Sequence, residues 1–440
     1  MNKQGMIDKK VVAVKVFSAM TEVVKFLPME ENTKKEVEVI DQLAQVFMKK
    51  DDVERRYLLM LQNNMELRPG GGFLGQYAVV KVKNGEVTSL FVEDANLLDQ
   101  RIEAKITPPY PFERMMQIKK WKFRDSNFSA DFPRNVEKAK YFYRLSGGNS
   151  NFDGVIAVNA KVLNGVLGLT GPITVSGIGE YNSENAVSKL EEQVEKPYLF
   201  NENLDTQNRK WIIKKLAPII VEELFKLGNI KKIADFTLEE LRNKDVMIHF
   251  KEPELQALVE EVNWGGKVDE QWEGDYLMLI DANMGALKSD HYMEREILYT
   301  VDLTAEKPLA KLDYTYTHTA THGDWRTSDY HTYLRMYVPR GSNLLDRKMV
   351  SYPNLQEDYN KDYFGFIAHV LINDQTEAEI TYELPERFKE ENYRLKIQKQ
   401  SGVGDVPIKV VVKTEEGEFT HEDILKKDLI LRFDAVKKEE

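Results

Sequence analysis

Apolar residues at Val12, Val16, Met20, Val23, Val24 and Leu27 recur at helical spacing with charged residues between them, and Val37 to Met48 repeats the pattern after Pro28. This spacing predicts a helical N-terminal segment over 1–55, whose apolar stripe packs on a neighbour. From residue 56 the period changes. Short apolar runs suited to strands lie at Tyr57–Leu61, Tyr77–Val82, Val87–Glu93, Gly154–Asn159 and Pro172–Val175. They alternate with helical patterns at Phe112–Lys119, Pro133–Leu145, Ala160–Leu167, Ser183–Val194, Asn208–Lys226 and Glu252–Val262. Asn84-Gly85 is a two-residue hairpin turn, and Asn159 and Asp205 stand where helix N-caps belong. Strands interleaved with helices predict a layered α/β domain with a mixed sheet over 56–265.

After residue 266 helical period fades. Alternating runs follow at Arg295–Leu303, Lys311–His318, His331–Val338, Phe364–Ile372, Ala378–Leu384, Tyr393–Gln398, Ile408–Lys413 and Leu429–Phe433, with turn residues between them. That rhythm predicts an antiparallel β-sandwich over 266–440.

Composition narrows the chemistry. A chain of 440 residues with net charge -11 has room for several domains, but no basic face for a nucleic acid. The absence of cysteine excludes disulfides, thiolate-bound zinc, iron–sulfur clusters and thiol catalysis. His318 and His322 are four apart, but in a Thr/Tyr-rich stretch that alternates like a strand, so they do not share a helix face. No stretch suits a membrane span: Val162–Gly179 is uncharged but broken by glycines and Pro172. Lys15, Glu22 and Lys25 interrupt the N-terminal apolar run, so it has no signal-peptide shape, and the chain reads as soluble.

Four segments concentrate polar residues beyond what packing requires. The first, Asn63-Asn64-Met65-Glu66-Leu67-Arg68-Pro69-Gly70-Gly71-Gly72-Phe73-Leu74-Gly75, joins two strands. Backbone N–H groups exposed by glycine, beside a two-pronged arginine, can hold a phosphate or carboxylate. The same run also suits a wide hairpin loop with a solvated Arg68. The second segment puts Glu93 and Asp94 at the end of a strand, where Asp94 can hold a hard cation or cap a helix. The third, Trp121 to Pro133, sets Arg124, Asp125 and Asn127 among aromatic residues; Asp131 there suits a helix cap. In the fourth, Asp205 to Lys210, Arg209 and Lys210 open a helix whose N-terminus attracts anions. A polar loop at Asp281–Asp290 either closes over a ligand or joins the domains. Gly-x-Ser-x-Gly, Walker A and Rossmann patterns are all absent.

The run from Arg56 to Gly75 resembles the opening signature of the bacterial DUF4012 proteins. Arg124-Asp125-Ser126-Asn127, Asp131-Phe132-Pro133, Phe152 to Ala157, Leu169-Thr170-Gly171-Pro172 and Asn283-Met284-Gly285 extend that resemblance from about residue 50 to 400. Members usually begin with a membrane-spanning helix and face outward, so the resemblance implies an extracytoplasmic protein of the cell envelope. Membrane attachment is expected only through an anchor that this chain lacks. The α/β region is also similar to the LytR-CpsA-Psr domain, whose members transfer glycopolymers from a polyprenyl-pyrophosphate carrier to the cell wall. That similarity implies that Arg68, Arg124 and Arg209 grip a pyrophosphate, assisted by Asn64, Gly71, Gly72, Asn127 and Lys210. It further implies that Asp94, acting beside the arginines, shares a Mg²⁺ with Asp125. Three departures weaken it: Gly70 to Gly72 replace the acid after the first arginine, Glu93 stands where the family has arginine, and the helix start at Arg209 carries fewer arginines than usual. The expected partner is thus a pyrophosphate-linked glycan lipid or cell-wall polymer. The alternative is a non-catalytic envelope scaffold with a vestigial pocket.

Overall fold

The computed structural model describes residues 30–200, 230–389 and 393–433, with single positions between 212 and 223. The stripe at 12–27 and the helix expected at 208–226 lie outside that description, apart from those isolated positions. Helix Glu31–Met48 buries Val37, Val39 and Leu43 against Tyr57, Phe250 and Trp264, so the apolar pattern expected over 37–48 packs on a neighbour.

The α/β layer is built on β1 (Arg55–Asn63), β2 (Phe73–Lys83), β3 (Glu86–Asp94) and β4 (Gly154–Asn159). A hairpin of β5 (Ile173–Val175) and β6 (Gly179–Tyr181) stands apart, and β7 (Val246–Phe250) completes the main sheet. The order is β3-β2-β1-β4-β7, with β1 and β4 parallel and every other pair antiparallel. Helix Phe132–Leu145 covers one face, burying Val136, Ala139 and Phe142 with Leu58, Met60 and Val155. Its start is fixed by Asp131, whose carboxylate accepts from Arg134 N at 3.1 Å, with Pro133 in the first turn.

The sandwich strands are β8 (Asp275–Ile280), β9 (Met293–Asp302), β10 (Leu309–His318), β11 (Tyr330–Pro339), β12 (Asn343–Lys348) and β13 (Asn354–Asp358). They continue with β14 (Lys361–Val370), β15 (Gln375–Glu383), β16 (Tyr393–Ile397), β17 (Val406–Thr414), β18 (Gly417–Leu425) and β19 (Leu429–Phe433). Two six-stranded sheets, β12-β15-β10-β9-β17-β18 and β13-β14-β11-β8-β16-β19, enclose a shared core. The pairing is mostly antiparallel, but each sheet holds one parallel pair, β8 with β16 and β9 with β17. Those two pairs refine the expectation of a purely antiparallel sandwich.

Strand β8 shows how the two parts meet. All six of its residues are buried, because both of its faces are covered. Leu277 and Leu279 point into the sandwich core. Tyr276, Met278 and Ile280 pack instead with Ala130, Val268, Tyr337 and Tyr359. The α/β layer therefore rests on the outer face of one sandwich sheet. Arg335 of β11 donates to Phe128 O at 2.9 Å, and Arg134 pairs with Asp358 at 2.8 Å across the same contact.

Candidate functional site

The glycine-rich segment does not line an open mouth of the sheet. It leaves β1 after a register shift at Leu61/Gln62 and runs into the end of the sandwich beyond β8. Leu67, 1% exposed, belongs to the sandwich core. Its N–H donates to Asp290 at 2.9 Å, and its carbonyl accepts from Asn283 N at 3.0 Å.

Arg68 follows it inward and is also 1% exposed. Its Nη2 donates to Glu66 at 2.8 Å and its Nε to Asp125 at 3.4 Å. Its Nη1 donates to the carbonyls of Asn283 at 2.8 Å and Leu67 at 3.2 Å. Burial opposes the charge, but Glu66 and Asp125 outweigh it and raise the hold of Arg68 on its proton. Most of the five guanidinium donors are occupied by the protein itself.

The glycines serve close approach of protein to protein. A Cβ on Gly71, whose φ is +124°, would stand 2.6 Å from Ser401 Oγ and 2.7 Å from Asn159 Oδ1. Gly72 crowds the backbone of Asn63 at 2.4 Å in the same sense. Asn127 donates to Gln62 Oε1 and Gly72 O, each at 2.6 Å. Gln62 donates in turn to Gly70 O at 2.8 Å and Asn159 Oδ1 at 3.1 Å. Gln400 bridges the two parts, donating to Arg68 O at 3.2 Å and Asp281 O at 2.8 Å. Asn64 sits at the margin, donating to Gly402 O and accepting from Lys161 N, both at 3.4 Å.

The remaining predicted residues are dispersed. Asp94 is the N-cap of helix Ala95–Gln100 and accepts from Asn96 N at 2.8 Å, the capping alternative of the two readings. Arg124 pairs with buried Asp99 at 3.0 Å, on the other side of the segment from Asp125. Burial pushes the Asp99 carboxyl up, and the Arg124 charge restrains that rise. Arg209 and Lys210 lie outside the described residues. Asp125 and Arg68 thus meet as an ion pair, whereas Asp94 and Arg124 have separate structural partners.

These donors do not fit a Mg²⁺. Asp125 faces a buried guanidinium, Asp94 a helix N-terminus, and among the described residues no group of three His, Asp or Glu side chains stands ready for a metal. The loop at Asp281–Asp290 links β8 to β9 within the sandwich and meets the 63–72 loop through Leu67. Asp281 accepts from Arg295, Tyr314, Tyr316 and Thr332, while Asp290 accepts from Leu67 N, Asn283, Arg295 and Tyr330.

A second polar cluster, beyond the end of β4, was not read from the sequence. Lys161 pairs with Asp245 at 2.5 Å and Lys244 with Asp428 at 2.5 Å. Lys399, fully buried, donates to the carbonyls of Val403 at 2.7 Å, Gln400 at 3.1 Å and Asn243 at 3.3 Å. Burial brings its amine down to about 8. Burial, reinforced by Asp245, pushes Glu240 up to about 7. Lys161, the 240–245 stretch, Lys399 and Asp428 come from separate parts of the sequence with no shared motif, and the last two arrive only as the chain returns from the sandwich. Because the folded-state value for Glu240 lies above its ordinary 4.5, its protonation favours the fold, and that benefit fades as pH climbs through about 7. Glu240→Gln is expected to add about 1 kcal/mol of stability at pH 8, a figure discounted for partial exposure. It should add nothing at pH 4, and thermal melts at both pH values measure the difference.

No curated protein matches this chain. Residues 52–194 do match a family model, described as a protein of unknown function (DUF4012). That span holds β1, the Arg68 loop and the Trp121–Pro133 segment, so the stretch similar to that family includes the residues that fasten the α/β layer to the sandwich.

Proposed function

We propose that this chain is a non-catalytic interaction protein of the cell envelope, acting outside the cytoplasm, whose family motif is an internal fastener and not a ligand grip. The observation that carries this reading is the state of Arg68: 1% exposed, with two acids and two carbonyls around its guanidinium. An arginine that clamps a pyrophosphate needs free N–H groups facing a cleft. Arg68 has its partners inside the protein, and the outer surfaces of both layers are left for contacts with other molecules.

Transfer of a pyrophosphate-linked glycan would have to rely on Arg124, which is partly exposed, and on the 205–210 segment. Isothermal titration of the full chain with farnesyl pyrophosphate and Mg²⁺ separates the two readings. The expected result is no saturable binding. Saturable binding that disappears in Arg124→Ala would overturn the fastener reading and restore the transferase.

A further inference from the structure

A cleft of about 920 Å³ opens where the chain enters β8, at the opposite end of that strand from the Arg68 loop. Its walls come from the segment before β8, the turns leading into β12 and β14, the 3-10 turn Glu386–Lys389 and the start of β16. Lys361, the first residue of β14, lines it and is 2% exposed. The Lys361 ammonium lies 4.9 Å from the centre of the Tyr276 ring. Among the described residues its one hydrogen bond is a long one, 3.5 Å to Trp272 O. An ammonium has three donors, and a buried one with so little compensation is costly. Burial accordingly pulls its proton affinity down, with Asp269 and Glu270 opposing that pull. Asp269 is already engaged by Lys396 at 2.6 Å.

Two more cations line the cleft without an ion-pair partner among the described residues. Arg387 lies over Phe388 at 4.7 Å, and Arg394 over Trp272 at 5.4 Å. Against them the walls carry exposed Glu270 and Glu273. The lining is more polar than apolar, which disfavours a lipid tail, and the volume is at the upper end for organic-ligand pockets, far beyond a bare anion.

We propose that this cleft binds a carboxylate-bearing oligosaccharide, with Lys361, Arg387 and Arg394 meeting its carboxylates and Trp272 offering ring surface beside them. The proposal goes beyond the fastener reading and does not depend on it. Titration calorimetry on the full chain tests it with three probes: trigalacturonate, its methyl ester, and inorganic phosphate. Trigalacturonate should bind saturably, and the neutral ester at least tenfold more weakly. The exposed double change Arg387→Ala/Arg394→Ala should cost at least tenfold in affinity while leaving the melting temperature unchanged. Lys361→Met, checked for folding by its melt, should do the same. Absence of trigalacturonate binding, equal affinity for the ester, or an unaffected double variant would overturn the proposal. So would phosphate binding as tightly as trigalacturonate, which would mark a small-anion site. None of these failures bears on Arg68.

Discussion

Arg68→Leu should lower the stability of the chain by about 3–5 kcal/mol, the range for removing one partner of a buried ionic cluster. Leucine fills much of the space but leaves Glu66 and Asp125 facing each other's charge with no cation, and Asn283 O without its 2.8 Å donor. The loss comes from those orphaned groups more than from the pair itself. A triple variant, Arg68→Leu with Glu66→Gln and Asp125→Asn, should therefore recover part of it, and urea unfolding of all three proteins measures the difference. Because Leu67 O, Asn283 O and Asp125 belong to different parts of the chain, the single variant should also expose the 63–72 loop to protease first. A variant as stable as wild type would mean that Arg68 is free to serve a ligand, and the pyrophosphate reading would return.

Much of the architecture was legible because it rests on period and on turn chemistry. The Asn84-Gly85 turn, the Asp131 cap and the strands of residues 295–338 each follow from local residues alone. Strand β8 was missed because a run of six residues buried on both faces has no alternation to read. The short strand β7, Val246–Phe250, was hidden by its length, and β18 by its many charges: Glu418, His421, Glu422 and Asp423 stand on a largely exposed sheet edge. The site was harder still. Glycines, an arginine and amides in one loop look alike whether the approaching partner is a phosphate or another stretch of the same chain. The partners here, Gln400 and Ser401, lie more than three hundred residues away and carry no motif. Asp94 and Arg124 suffered the same ambiguity, since a cap or an internal ion pair uses the same side chains as a catalytic centre.

Gly402→Ala should be at least as damaging as the loss of Arg68, and by a different route. A Cβ at this position would stand 1.7 Å from Gly71 O and 2.6 Å from Gly71 C, so the added methyl meets backbone and not a side chain that can turn away. The residue also holds φ +81°, which alone costs an alanine about 1–2 kcal/mol. Gly147→Ala supplies the control: its φ is +87°, yet nothing lies within 4 Å of the added carbon. If fastening of the two parts depends on contact between the 70–72 and 400–402 backbones, Gly147→Ala should lose only the conformational term. Gly402→Ala should lose more than about 3 kcal/mol in total, since overpacking that cannot relax adds a further 1–3 kcal/mol or more. Thermal melts of the two variants decide it. Equal losses would show that the loops part without cost, and the glycines around Arg68 would then be available to something other than the protein's own chain.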